Sequence, residues 1–175
     1  MDITEASRKL FDFSQPFDVP LLEQILASLN KPAYVSNRLP LCPSSSYSIH
    51  ILTEDQAANS ILGELQEHPQ AWTAVDTIIE QSTSTHSKFF ALSILENLIK
   101  SRWAIVPEQQ QLSIREYVVG LIIRLSGNQG MQQMEKVTLG KLNFVLVQIL
   151  KKDWPNKWPN FINELLSSSQ TSEPI

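Results

Sequence analysis

The stretch from Lys136 to Phe161, KVTLGKLNFVLVQILKKDWPNKWPNF, decides the fold. Val137, Leu142, Val145, Leu146, Ile149 and Leu150 recur at the three- and four-residue steps of one helical face. Phe144 and Val147 fall outside that stripe, so more than one side of the helix is apolar. A rod apolar on several sides is expected to be covered on several sides, here by its own partner helix and by flanking hairpins. Pro155 lacks an N–H and clashes with the preceding turn, so the helix stops there. Asn156 and Lys157 make a short bend, and Trp158-Pro159 opens a second amphipathic helix carrying Phe161, Ile162, Leu165 and Leu166. Trp154 and Trp158, four residues apart around two prolines, are expected to staple the corner. Truncating a buried tryptophan typically costs ~3–5 kcal/mol.

The same helical period runs through most of the chain. Asp18 is an N-cap candidate, with Pro20 in the first turn before Leu21, Leu22, Ile25, Leu26 and Leu29. Residues 31–52 have no such period: Pro32, Pro40 and Pro43 break any helix and Ser44, Ser45 and Ser46 follow, so an irregular loop is expected. Thr53 with Gln56 three residues on reads as a capping box that restarts helix before Ala58, Ile61, Leu62 and Leu65. Pro69 marks the next start, before Trp72, Val75, Ile78 and Ile79. The segment from Thr85 to Trp103 is expected to bury Phe89, Leu92, Leu95, Leu98 and Ile99, with Ser93, Glu96, Asn97 and Lys100 as its polar stripe. Pro107 opens a further helix over Ile114, Val118, Leu121, Ile122 and Leu125, ended by Gly127.

No segment alternates apolar and polar residues in the manner of a strand. The expected class is all-α, and helix pairs recurring at roughly 40 residues point to a solenoid of HEAT-type hairpins. The expected organisation is an amino-terminal segment and first helix over 1–30, the inserted loop over 31–52, and the remaining helices of the repeats over 53–175.

Composition narrows the chemistry. The formal charge is −4 and the pI about 5.4, which disfavours nucleic acid. The charge is uneven: residues 1–87 carry 4 basic and 11 acidic residues, residues 88–175 carry 10 and 7. No apolar run approaches the ~20 residues of a membrane span, and the first ten residues lack a secretory signal layout. Cys42 stands alone, so no internal disulfide or cysteine zinc site is expected, and the chain reads as soluble and intracellular. His50, His68 and His86 are isolated and read as surface or capping residues. No phosphate-binding glycine motif, nucleophile elbow or HExxH occurs, so no catalytic residue, cofactor or metal is expected.

Several strings carry a family resemblance. They are Lys141-Leu142-Asn143, Val145 to Lys151, Asp153-Trp154-Pro155 and Lys157-Trp158-Pro159; Glu67-His68-Pro69 with Ala71-Trp72; Lys88 to Leu92, Ile94 to Asn97 and Ile99 to Trp103; and Tyr117 to Ile123. These resemble the amino-terminal HEAT repeats of the exportin-one type of nuclear export receptor, within the importin-β (karyopherin) family. The resemblance implies a right-handed α-solenoid, with Trp72, Trp103, Trp154, Pro155, Trp158 and Pro159 as structural residues. It also implies that the second helix of each repeat faces the GTPase Ran in its GTP form. Carried over by position, the Ran-binding candidates are Gln56 and Asn59, then Glu96, Asn97 and Lys100, then Lys141, Gln148 and Lys152. Gln148 and Lys152 lie seven and eleven residues after Lys141, nearly one line along a helix. Export cargo and nucleoporins are implied as partners of a full-length receptor only, with shuttling between nucleus and cytoplasm through the nuclear pore. The alternative is a truncated HEAT scaffold without transport activity of its own.

Overall fold

In a computed structural model, residues 3–29, 46–127 and 133–170 are described. They form eight α-helices: α1 Ile3–Leu10, α2 Val19–Leu29, α3 Ser46–Glu67, α4 Val75–Gln81, α5 Thr85–Arg102, α6 Glu108–Ser126, α7 Gln133–Asp153 and α8 Phe161–Gln170. Among the described residues there is no strand, so the all-α expectation holds. The chain divides into two compact units, Met1–Ile94 and Leu95–Ile175.

In the first unit, α1, α2, α3, α4 and the first part of α5 enclose a core of Leu10, Leu22, Ile25, Leu65, Ile78, Ala91 and Leu92. Asp18 caps α2 as expected: its Oδ1 accepts from the Leu21 N–H at 3.0 Å. Residues 30–45, most of the expected loop together with Cys42, lie outside the described residues. The expected helix start at Thr53 is corrected, because α3 begins at Ser46 and Thr53 stands inside it. No proline or glycine occurs between Pro43 and Gly63, so nothing stops the helix from reaching back past the capping-box pattern. Pro69 lies in a turn; a short 3₁₀ turn over Ala71–Ala74 then leads into α4. His68 does more than an isolated surface histidine would. Its ring stacks on Phe13 at 4.7 Å and meets the edge of Phe11 at 5.7 Å, which fastens the segment after α1.

In the second unit, the end of α5, α6 and α7 surround Leu95, Leu98, Ile99, Trp103, Ile114, Val118, Leu121, Leu142, Val145 and Ile149. The burial of α7 is narrower than its composition suggests. Thr138, Leu142, Val145, Ile149 and Asp153, at steps of three and four, form its buried face. Val137, Phe144 and Val147 are 48%, 45% and 45% exposed, so the expectation of cover on several sides is corrected. Among the described residues α7 packs mainly along α6, with Glu96 and Trp103 reaching it from the α5 side, and one contact surface buries one stripe. Phe89 of α5 is likewise half-exposed rather than buried. It shares a helical line with Ser93, Glu96 and Lys100, the polar stripe, so the period that buries Leu92 and Leu95 turns Phe89 outward.

The candidate partner-binding surface and the corner behind it

The site residues in the second unit are positioned by three helices and one buried polar network. Trp103, 4% exposed, follows α5 and donates its indole N–H to Asp153 Oδ1 at 2.8 Å. Asp153, the last residue of α7, is 1% exposed and pairs through Oδ2 with Arg115 of α6 at 3.6 Å. Arg115 also donates to the Lys157 carbonyl at 3.1 Å, and its guanidinium lies 5.3 Å from the Trp158 ring centre. Gln111, one turn earlier on α6, donates its amide to the carbonyls of Trp103 and Val106 at 2.6 and 2.9 Å. The Gln111 Oε1 accepts from Lys157 Nζ at 3.2 Å. A buried charge is tolerated only when paired and hydrogen-bonded, and here the partners come from four places in the chain.

The corner is therefore held differently from the expected double-tryptophan staple. Trp154 is 51% exposed, across a cis peptide bond from exposed Pro155. The residue before it, Asp153, takes the inward position, because the buried stripe of α7 steps from Ile149 to Asp153. Trp158 does hold the corner: it packs edge-on against Phe161 at 4.9 Å and donates to Glu164 Oε2 at 2.9 Å. Pro159 is exposed and Trp72, in the first unit, is half-buried.

The network at Gln111, Arg115 and Asp153 was absent from the sequence reading. A signal existed: Gln111 and Arg115 each sit three residues before Ile114 and Val118, on the apolar line of α6. Polar residues on a core line point to a buried network.

Six of the eight candidates lie in the second unit. Glu96 of α5 bridges two helices: one carboxylate oxygen pairs with Lys100, a turn on, and the other with Lys141 of α7. Burial pushes the Glu96 carboxyl up, but the hydrogen bonds and charges of Lys100 and Lys141 outweigh it and hold it below its ordinary 4.5. Lys100 and Lys141 lie 5.4 and 5.9 Å from the centre of the exposed Phe144 ring. Lys152 is exposed and shares a cleft with Lys100. Asn97 and Gln148 are half-buried on α5 and α7. Gln56 and Asn59 are exposed on α3 in the first unit.

Among the described residues the seam is made of acid–ammonium pairs, Glu96 with Lys100 and Lys141. Among the described residues no group of three histidines, cysteines or acids could hold a metal, and no helix is long and apolar enough to cross a membrane.

The importin-beta N-terminal domain profile matches residues 58–124, and the Exportin 1-like protein profile matches residues 135–175. Exportin-1 of Dictyostelium discoideum is 42% identical over 166 residues, 95% of this chain and 14% of that protein. Exportin-1 of Drosophila melanogaster is 40% identical over 172 residues, 98% of this chain and 14% of that protein.

The chain belongs to the exportin-1 family.

Exportin-5 of Dictyostelium discoideum is a more distant relative, 31% identical over 112 residues, 64% of this chain and 9% of that protein. The exportin-1 relatives are transport receptors by name, and this chain spans 14% of their length. Within this exportin-1-family chain the Trp158 corner, Lys141 and Lys152 fall in the region of the Exportin 1-like match. Glu96 and Lys100 fall in the importin-beta N-terminal domain match.

Proposed function

We propose that this chain supplies part of the surface by which a nuclear export receptor grips Ran-GTP. The observation that carries the reading is the polar seam of α5 and α7, Glu96, Lys100, Lys141 and Lys152, within a chain of the exportin-1 family. Glu96 fixes Lys141 against α5 and pairs with Lys100 as well; Lys100 and Lys152 are exposed, where they can meet a partner's carboxylates. The chain spans 14% of the length of its exportin-1 relatives, so by itself it is expected to bind weakly or not at all. Export cargo and nucleoporins engage the full-length receptor, which shuttles between nucleus and cytoplasm.

The test is the double variant Lys100→Glu/Lys152→Glu titrated against Ran-GTP and Ran-GDP. Loss of Ran-GTP affinity with unchanged helicity is the expected result; unchanged affinity overturns the assignment. A second reading is a HEAT scaffold that self-associates, favoured by the exposure of Phe144, Val147, Trp154, Ile162 and Leu166. Size-exclusion with and without Ran-GTP separates the two: a stable heterodimer supports receptor function, concentration-dependent oligomers the scaffold.

A further inference from the structure

The end of α5 and the corner after α7 enclose a cleft of about 170 Å³, with Lys100, Lys152 and Lys157 around it and Trp103, Ala104 and Asp153 as walls. Its charge follows from the pairings. Asp153 is turned to the Trp103 indole and balanced by Arg115 from behind. Glu96 is shared by Lys100 and Lys141, one carboxylate for two ammonium groups. Among the described residues the Lys157 ammonium donates to the neutral amide oxygen of Gln111, and no carboxylate lies in ion-pair range of Lys152. The carbonyl ends of α5 and α7 contribute roughly half a negative charge each, so a positive surplus remains. All three cleft lysines are exposed.

Size and shape restrict the occupant. At ~30 Å³ per water molecule, the cleft holds only a handful of heavy atoms, well below the ~300–1,000 Å³ of sites for drug-sized ligands. A nucleotide does not fit. A nucleic-acid strand needs a track of cations, and this chain is acidic overall, with a formal charge of −4. Three flexible point charges lining one small cleft beside the Trp103 ring suit the carboxylate end of one side chain.

We propose that this cleft is a socket for an aspartate or glutamate side chain in an extended acidic segment of a protein partner, with Lys157 as its third cation. The socket depends on its own lysines and not on which protein carries the acid, so it goes beyond the GTPase reading.

The experiment uses the ¹⁵N-labelled 175-residue chain titrated with a blocked octaglutamate peptide, following the Trp103 indole N–H that faces Asp153. A saturable shift is expected. Lys152→Ala and Lys157→Ala should each weaken binding roughly two- to fivefold, the range of an exposed ion pair. Lys100→Ala/Lys152→Ala/Lys157→Ala should abolish it. Lys151→Ala, an exposed lysine on the same helix but outside the cleft, should bind as the parent does. Equal weakening by Lys151→Ala, or an unmoved Trp103 resonance, overturns the socket. So does saturation by inorganic phosphate at matched ionic strength without saturation by the peptide. The titration contains no GTPase, so saturable peptide binding by a parent chain that does not bind Ran-GTP sinks the GTPase reading alone.

Discussion

Replacing Asp153 by alanine strikes the α7–α8 corner at its most deeply paired group. The side chain is 1% exposed, accepts from the Trp103 indole at 2.8 Å and faces Arg115 at 3.6 Å, itself 9% exposed. Removing one member of a buried pair leaves an uncompensated charge and costs about 3–5 kcal/mol. An unsatisfied buried N–H costs about 1–3 kcal/mol. The two do not add in full, because Arg115 keeps the Lys157 carbonyl at 3.1 Å and the face of Trp158. The lower end, about 3 kcal/mol, is therefore expected for Asp153→Ala. Asp153→Asn keeps an acceptor for the indole and loses only the charge, so it should cost about half as much. Urea unfolding followed by far-ultraviolet circular dichroism reads this out. With a slope near ~2 kcal/mol/M, the alanine variant's midpoint should fall by about 1.5 M. A fall under about 0.3 M with unchanged helicity would refute the reasoning, leaving apolar contacts alone to hold the corner.

Glu96 and Asp18 give two further tests. The Glu96 carboxyl is held below 4.5 in the folded chain by Lys100 and Lys141 against the upward pull of burial. A depressed carboxylate contributes stability that is present above the unfolded value and lost as pH falls through the folded one. The parent's urea midpoint should therefore drop more steeply below pH 4.5 than that of Glu96→Gln; parallel acid limbs contradict the α5–α7 bridge. Asp18→Ala should destabilise the first unit by about 1 kcal/mol through the lost cap on α2, with Asp18→Asn recovering most of it; an equal loss in both variants argues against capping.

Much of the helical framework was legible in the sequence. Asp18 announced the start of α2 because a cap is satisfied within its own turn, and Pro107 and Pro155 bounded α6 and α7 through backbone geometry alone. The seam candidates Glu96, Lys100 and Lys141, which the resemblance puts on two different helices, meet in the structure. The capping-box pattern at Thr53 misled because a local signature does not end a helix whose upstream residues also tolerate it. Trp154 misled because tryptophan's size says how much burial is available, not which way the chain turns after α7.

Sequence by itself determined the all-α class, the family strings and most helix starts, since periodicity, caps and prolines act within a few residues. Tertiary structure decided which single stripe of α7 is covered, and it brought Asp153 to Trp103, Arg115 to Lys157 and Lys157 to Gln111 across separations of 50, 42 and 46 residues. A buried polar group looks like an error on an apolar face until its partner arrives from that distance. Its desolvation is offset only by the assembled set, which no local pattern encodes.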